Sequence, residues 1–209
     1  IISKNAPKKF GRIMERCKSN QVWKKRKRVG AGAVGVVWLT GDEQGNPYVL
    51  KIQKDDAEFR REVKIFTKLI GWKHAPRVEA IWTCDGKGYI VMEKLEDLKY
   101  PKPIALKKIQ AVFVEMHEKR IAFPDCHSGN VMMRKDGTVV LIDFGWAEYF
   151  PTKTSKSYDN WLATEIIRGG ATLQDMYIWE NYVLMDDFGT TEQKMKARMD
   201  MMKLKKKYA

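Results

Sequence analysis

Between residues 22 and 53 the apolar positions fall in short β-rich blocks separated by turn formers. "VWKKRKRVG" runs into a glycine-rich turn, "VGVVWLT" follows, and "YVLKIQ" resumes after "GDEQGNP", a pattern that predicts three strands. From Asp55 to Ile70 the period lengthens. Phe59, Val63, Phe66, Leu69 and Ile70 recur at helical spacing, acidic residues occupy the first turn, and Gly71 is placed to stop the helix. "RVEAIWT" and "GYIVMEKL" around the turn "CDGKG" add two strands, so five strands and one helix are expected in a small β-rich lobe.

Helical spacing dominates thereafter. Pro103 opens a helix running to about Arg120, with Leu106, Ile109, Val112, Phe113 and Met116 on one face. A loop over 121–130 follows, and "VMMR" and "TVVLI" flank the turn "KDG" as a hairpin. Helical segments are predicted at about 158–168 and 172–185, split by Gly169 and Gly170. A last helix at about 190–206 carries Met195, Met199 and Met202 on one side and lysines on the other.

Composition narrows the class. With 209 residues and 44% hydrophobic positions the chain fits one domain or one small two-lobed unit with a real core. No apolar run approaches the roughly 18 residues that span a bilayer, and no transmembrane segment is expected. Cys17, Cys84 and Cys126 are odd in number and scattered. They make neither a zinc pattern nor a disulfide framework, and they suit a cytoplasmic, nuclear or other reducing compartment. The net charge of +13 is concentrated at the ends: residues 1–30 hold eleven Lys/Arg against Glu15 alone, and residues 190–209 carry +5, while 31–189 carry −2. Such ends attract nucleic acid, acidic proteins or anionic lipid, or simply keep the chain in solution.

Four elements in a fixed order carry the chemistry. In "GAGAVGVV", Gly30, Gly32 and Gly35 followed by Val37 let a strand–turn–strand fold closely over a phosphate tail. The turn joins two strands, which disfavours a dinucleotide-binding Rossmann turn. Lys51 in "YVLKIQ" points from a half-buried strand and needs an anion, which a nucleotide's phosphates would supply, unless it is an ordinary exposed strand lysine. The carboxylate to pair with it is Glu62, because Phe66 one turn on marks the inward side; Glu58 is the fallback. In "FPDCHSGNVMM", Asp125 can accept a proton from a hydroxyl and Asn130 can ligate a cation through its amide oxygen, although an Asx-type turn would read alike. Asp143 in "VVLIDFG" ends an apolar strand, where a carboxylate costs desolvation unless a cation or donors meet it. The same triplet recurs as Asp187-Phe188-Gly189, but there it ends a helical pattern with Gly189 as C-cap, and it reads as chance.

Together these residues resemble the protein-kinase-like superfamily over about residues 22–147. The resemblance implies an α+β, bilobal fold with ATP held between the lobes: a basic extension (1–21), a β-rich N-lobe (22–94), a reduced, mainly helical C-lobe (95–189) and a basic tail (190–209). It implies that Gly30, Gly32, Gly35 and Val37 form the glycine-rich loop and Lys51 with Glu62 the strand–helix ion pair. Met92 would be the gatekeeper, and Glu93 and Leu95 would lend backbone groups to adenine. Asp125 would be the catalytic aspartate, and Asn130 and Asp143 would hold Mg²⁺, or Mn²⁺ in its place.

Departures refine the expectation. His-Arg-Asp is replaced by Phe123-Pro124-Asp125, and His127 stands where a lysine is usual, either donating to the γ-phosphate or bonding the backbone. That loop resembles small-molecule phosphotransferases. No Ala-Pro-Glu follows Gly145, and the compact basic chain also resembles the Bud32 family. The leading expectation is an atypical serine/threonine kinase acting on protein, with Thr152, Thr154, Ser155 and Ser157 as candidate autophosphorylation sites. A small-molecule kinase, or a Bud32-like ATPase subunit gripping nucleic acid through its basic ends, is the alternative.

Overall fold

A computed structural model describes residues 23–31, 35–150 and 172–208. The chain divides into two compact units, Ile1–Leu95 and Glu96–Ala209.

The first unit is built on a five-stranded antiparallel sheet of order β1-β2-β3-β5-β4, formed by Lys27–Ala31, Gly35–Gly41, Pro47–Lys54, Lys87–Glu93 (β5) and Val78–Cys84 (β4). The first strand begins later than its sequence block, after the basic run of residues 24–26. Side chains alternate between the two sheet faces. On one face Leu50, Ala80, Trp82, Cys84, Tyr89 and Val91 form a core, with the Trp82 and Tyr89 rings stacked at 4.9 Å. The other face receives α1, Ala57–Lys68, which buries Phe59, Glu62, Ile65 and Phe66. Asp56 caps α1 by accepting from the N–H groups of Glu58 and Phe59 at 3.1 and 3.2 Å, which satisfies two otherwise orphaned donors. Gly88 lets the helix sit close, because any Cβ there would overlap the Phe59 ring.

Cys84 is disulfide-bonded, its partner lying outside the described residues, and Cys126 is free and buried. The expectation of no bridge is therefore corrected. A bridge requires Cα atoms to approach within about 7 Å in space, which spacing along the chain does not encode.

The second unit is mainly helical. A short sheet of order β6-β8-β9 joins Glu96–Asp97, Val131–Met133 and Val139–Leu141, and β7, Ile121–Ala122, pairs with β10, Glu148–Tyr149. Helix α2, Lys102–Glu118, buries Ala105, Leu106, Ile109, Val112, Phe113 and Met116, the face its periodicity predicted. Helix α3, Leu173–Phe188, opens with a capping box between Thr172 and Asp175. Helix α4, Thr191–Tyr208, follows directly. It buries Met201 and Leu204 against Ala122, Phe150, Met176 and Trp179, and leaves Met195, Met199 and Met202 about 60% exposed. The anticipated methionine stripe therefore exists but faces outward. Among the described residues no helix is long and apolar enough to cross a membrane. The four hydroxyl residues between 152 and 157, and the helical pattern at 158–168, lie outside the described residues.

Candidate active site

In the first unit, Lys51 and Gln53 share a face of β3 and converge on one carboxylate of α1. The Lys51 ammonium donates to both Glu62 oxygens at 2.9 Å, and the Gln53 amide donates to Oε2 at 2.8 Å. Glu62 has no exposed surface and Lys51 is 6% exposed. Removing two such charges from water costs several kcal/mol each, so the bidentate geometry and the third donor are what make the pair tolerable. Glu62, rather than Glu58, is the residue the lysine meets, and the inward placement of Phe66 was a sound guide.

The glycine turn lies between β1 and β2. Gly35 is sterically required: a Cβ there would sit 2.7 Å from the Ile52 carbonyl oxygen on β3. Gly30 would tolerate one, meeting Val37 Cβ at 3.7 Å, and Gly32 lies outside the described residues. Val37 stands opposite Lys51 in the β2–β3 register. On β5, Met92 is buried and pairs with Val49 and Val78. The Glu93 N–H donates to the Arg77 carbonyl at 2.9 Å, and its carboxylate accepts from the Arg77 N–H and guanidinium. That N–H is thus committed within the protein. Leu95 is buried at the end of the unit.

In the second unit, Asp125 and Asn130 lie on one loop. The Asn130 side-chain amide donates to both the carbonyl and Oδ2 of Asp125 at 2.9 Å, fixing the carboxylate and leaving the Asn130 amide oxygen as the atom able to meet a cation. His127 is exposed. Its Nδ1 accepts from the Gly129 N–H at 3.1 Å, and its Nε2 stands 3.7 Å from Asp125 Oδ1, too far for a hydrogen bond. Backbone bonding by His127 is present at Nδ1, and donation to a phosphate would have to come from Nε2. A Cβ at Gly129 would approach the imidazole to 2.9 Å, so the exposed ring would have to shift.

Asp143 follows β9 with φ 61° and ψ 74°, the left-handed region that costs an ordinary residue about 1–2 kcal/mol and that aspartate visits more readily than most. The Ile142 N–H donates to the Asn130 carbonyl at 3.0 Å, extending the Val131–Leu141 register, so Asn130 and Asp143 stand at the same end of the β8–β9 hairpin. Their hard oxygen atoms suit Mg²⁺, which takes one or two protein carboxylates or carbonyls and completes its shell with phosphate and water. Among the described residues no group of three His, Cys, Asp or Glu could hold a metal unaided, so a cation here would depend on its substrate for ligands.

Sequence reasoning missed the support beneath this loop. Glu180, fully buried on α3, accepts from the Phe123 N–H at 2.6 Å and stands 2.8 Å from His117 Nε2. The Trp179 indole N–H donates to the Pro124 carbonyl at 3.2 Å, and the Cys126 thiol donates to the Glu180 carbonyl at 3.1 Å. Burial, reinforced by the Glu180 charge, pushes the Cys126 thiol well above the ordinary cysteine range. A readable signal existed, because Glu180 lies one turn from both Met176 and Leu184 on an apolar face. The second Asp-Phe-Gly is also not inert: Asp187 Oδ2 accepts from the Ser128 N–H at 2.5 Å. Gly189 does end α3, but with φ −80° rather than a left-handed turn. Its lack of a Cβ matters because Met185 O would lie 2.8 Å away.

Comparison with known proteins bears on the family. The protein kinase domain model matches residues 23–206. The chain is 31% identical to mouse (Mus musculus) serine/threonine-protein kinase Nek1 over 146 residues, 57% of this chain and 12% of that protein. It is 27% identical over 190 residues to the probable serine/threonine-protein kinase mkcB of Dictyostelium discoideum, 76% of this chain and 25% of that one. It is 23% identical over 186 residues to the Aurora kinase of Schizosaccharomyces pombe (strain 972 / ATCC 24843), 78% and 52% respectively. The chain thus spans about half or less of the length of these relatives. With a domain match covering nearly all of the described residues, the chain belongs to the protein kinase domain family.

Proposed function

We propose that this chain is an ATP- and Mg²⁺-dependent phosphotransferase, an atypical serine/threonine protein kinase. The observation that carries the reading is the loop pair: Asp125, its carboxylate fixed by Asn130, with Asp143 at the same hairpin end. The buried Lys51–Glu62 pair supports it. Buried ion pairs contribute little net stability, so an ammonium fixed in this way is best understood as held for an anion.

Asp125 orients the acceptor hydroxyl and takes its proton as the hydroxyl oxygen bonds to the γ-phosphorus. The bond from that phosphorus to the bridging oxygen breaks, and ADP departs with the electron pair. Lys51 and the turn of Gly30, Gly32 and Gly35 hold phosphate oxygens. Asn130 and Asp143 would hold Mg²⁺, which supplies neutralisation of the developing phosphate charge. Of the Glu93 backbone, only the carbonyl is a candidate for adenine, since the N–H is engaged by Arg77, and Leu95 would supply the donor. His127, tied to Gly129 through Nδ1, shapes the loop, and Nε2 would be its donor to phosphate. The names of the relatives favour a protein hydroxyl over a small molecule as acceptor.

The test is transfer of labelled γ-phosphate to basic and acidic test proteins and to a small-molecule panel, comparing wild type with Asp125→Asn and Asp143→Ala. Transfer to protein that both variants lose supports the reading. Transfer only to small molecules moves the acceptor class, and no nucleotide binding at all refutes the reading.

A further inference from the structure

We infer that Asp187, in the second Asp-Phe-Gly, is a positioning residue for Asp125, acting through Ser128 and Asn130; the inference rests on the catalytic reading of that loop. Helix α3 grips the loop on both shoulders of Asp125. On the N-terminal side the contacts are Glu180 to the Phe123 N–H and Trp179 to the Pro124 carbonyl. On the C-terminal side Asp187 holds the Ser128 N–H.

The bond sits where it has leverage. Ser128 opens the 3-10 turn Ser128–Asn130, whose last residue donates its side-chain amide to Asp125 Oδ2 and whose backbone N–H returns to the His127 carbonyl at 3.0 Å. Fixing Ser128 therefore fixes the amide that aims the Asp125 carboxylate. The backbone on either side of Asp187 is itself held: Lys194 of α4 donates to the Asp186 carbonyl at 2.9 Å, and the Gly189 N–H returns to the Met185 carbonyl at 2.9 Å. Helix geometry gives no local reason for an acid here. The last turn of a helix is the end at which a negative charge is unfavourable. A residue that opposes its own helix while making a short, charge-assisted bond to a loop 59 positions away owes its place to the loop.

Two substitutions delete the bond from opposite ends. Asp187→Ala removes the acceptor. Ser128→Pro removes the N–H donor together with the exposed hydroxyl, for which Ser128→Ala is the control, and the backbone accommodates it: His127 at φ −77°, ψ 166° is already in the extended form that precedes proline, and proline is accepted at the first position of a helical turn. Each is expected to lower kcat for phosphate transfer about 10- to 100-fold with the KM for ATP little changed, the scale of a misplaced reacting group. Asp187→Asn, which keeps an acceptor oxygen, recovers most of the rate. The double variant is no slower than either single one, the non-additivity expected of two halves of one contact. Melting temperature in Asp187→Ala holds or rises, and Ser128 amide hydrogen exchange quickens.

If Asp187→Ala transfers phosphate within twofold of wild type while Asp143→Ala is dead, the inference falls and the kinase reading stands. If wild type itself transfers nothing, the kinase reading falls, and exchange decides the anchor: an unchanged Ser128 amide in Asp187→Ala overturns it, and a faster one upholds it. Should Asp187→Ala fail to fold, Ser128→Pro alone carries the same comparison, and full activity there overturns the inference.

Discussion

Glu62→Ala is the perturbation whose cost can be worked most directly. It deletes a fully buried carboxylate that accepts three bonds, two from Lys51 and one from Gln53, and leaves an ammonium that is 6% exposed with that partner gone. Breaking a buried pair from one side costs about 3–5 kcal/mol, far more than the intact pair contributes. With a urea m-value of about 2 kcal/mol/M, a loss of about 4 kcal/mol moves the midpoint of the first unit down by about 2 M. Replacing both members, Lys51→Met with Glu62→Leu, removes the buried charge that has lost Glu62. What remains is the stranded Gln53 amide, about 1–3 kcal/mol. The double variant is therefore expected to be more stable than the single one despite carrying more changes, and still inactive in phosphate transfer. Hydrogen exchange across urea, read on peptides of β3 and α1, reports this unit separately from the second. A double variant no more stable than Glu62→Ala, or a Glu62→Ala midpoint within about 0.5 M of wild type, which is about 1 kcal/mol, would show that the desolvation argument misjudges the site.

Three further outcomes are expected. Asp143→Gly relieves about 1 kcal/mol of left-handed strain and adds about 0.5–1 kcal/mol of unfolded-chain freedom, so the backbone terms nearly cancel, while labelled γ-phosphate transfer is expected to fall at least about 100-fold; transfer within tenfold of wild type would remove Asp143 from the site. Gly35→Ala drives a methyl against the Ile52 carbonyl and is expected to destabilise the β2–β3 pairing by about 1–3 kcal/mol and weaken ATP affinity, seen by urea unfolding and nucleotide titration. Cys126, buried and with its thiol pushed up, stays protonated at pH 8, and iodoacetamide should label it only after denaturation; labelling of the native protein would contradict its burial.

Local chemistry made much of this legible. The α2 face, the α1 cap region and the hairpin around "KDG" follow from period and turn residues alone, which is why Leu106, Ile109, Val112, Phe113 and Met116 were placed correctly. Helix α4 shows where period stops helping. Met195, Met199 and Met202 make as good a stripe as Met201 and Leu204, and only the cluster of Trp179, Met176 and Phe150 decides which one is covered. The same holds at the site. Lys51 and Glu62 are eleven residues apart on consecutive elements and could be paired by eye, whereas Asp187 and Ser128, or Glu180 and Phe123, meet across more than fifty residues with no local mark. In the sequence Asp187 reads as chance because its helical setting explains Gly189 and offers nothing for the acid. The Cys84 bridge was illegible for the same reason.

The loop that carries Asp125 is fastened by its main chain: the amide of residue 123, the carbonyl of 124 and the amide of 128. Fastenings of that kind are indifferent to which letters occupy those positions, proline at 123 excepted and, on the inference above, at 128. A lineage can therefore rewrite the exposed Ser128 while the trace it follows stays put, whereas Phe123, buried against Phe113 and Phe144, is held to a large apolar side chain by the core. Directed evolution toward new acceptors has a free position at Ser128, beside the chemistry and not at a distance from it.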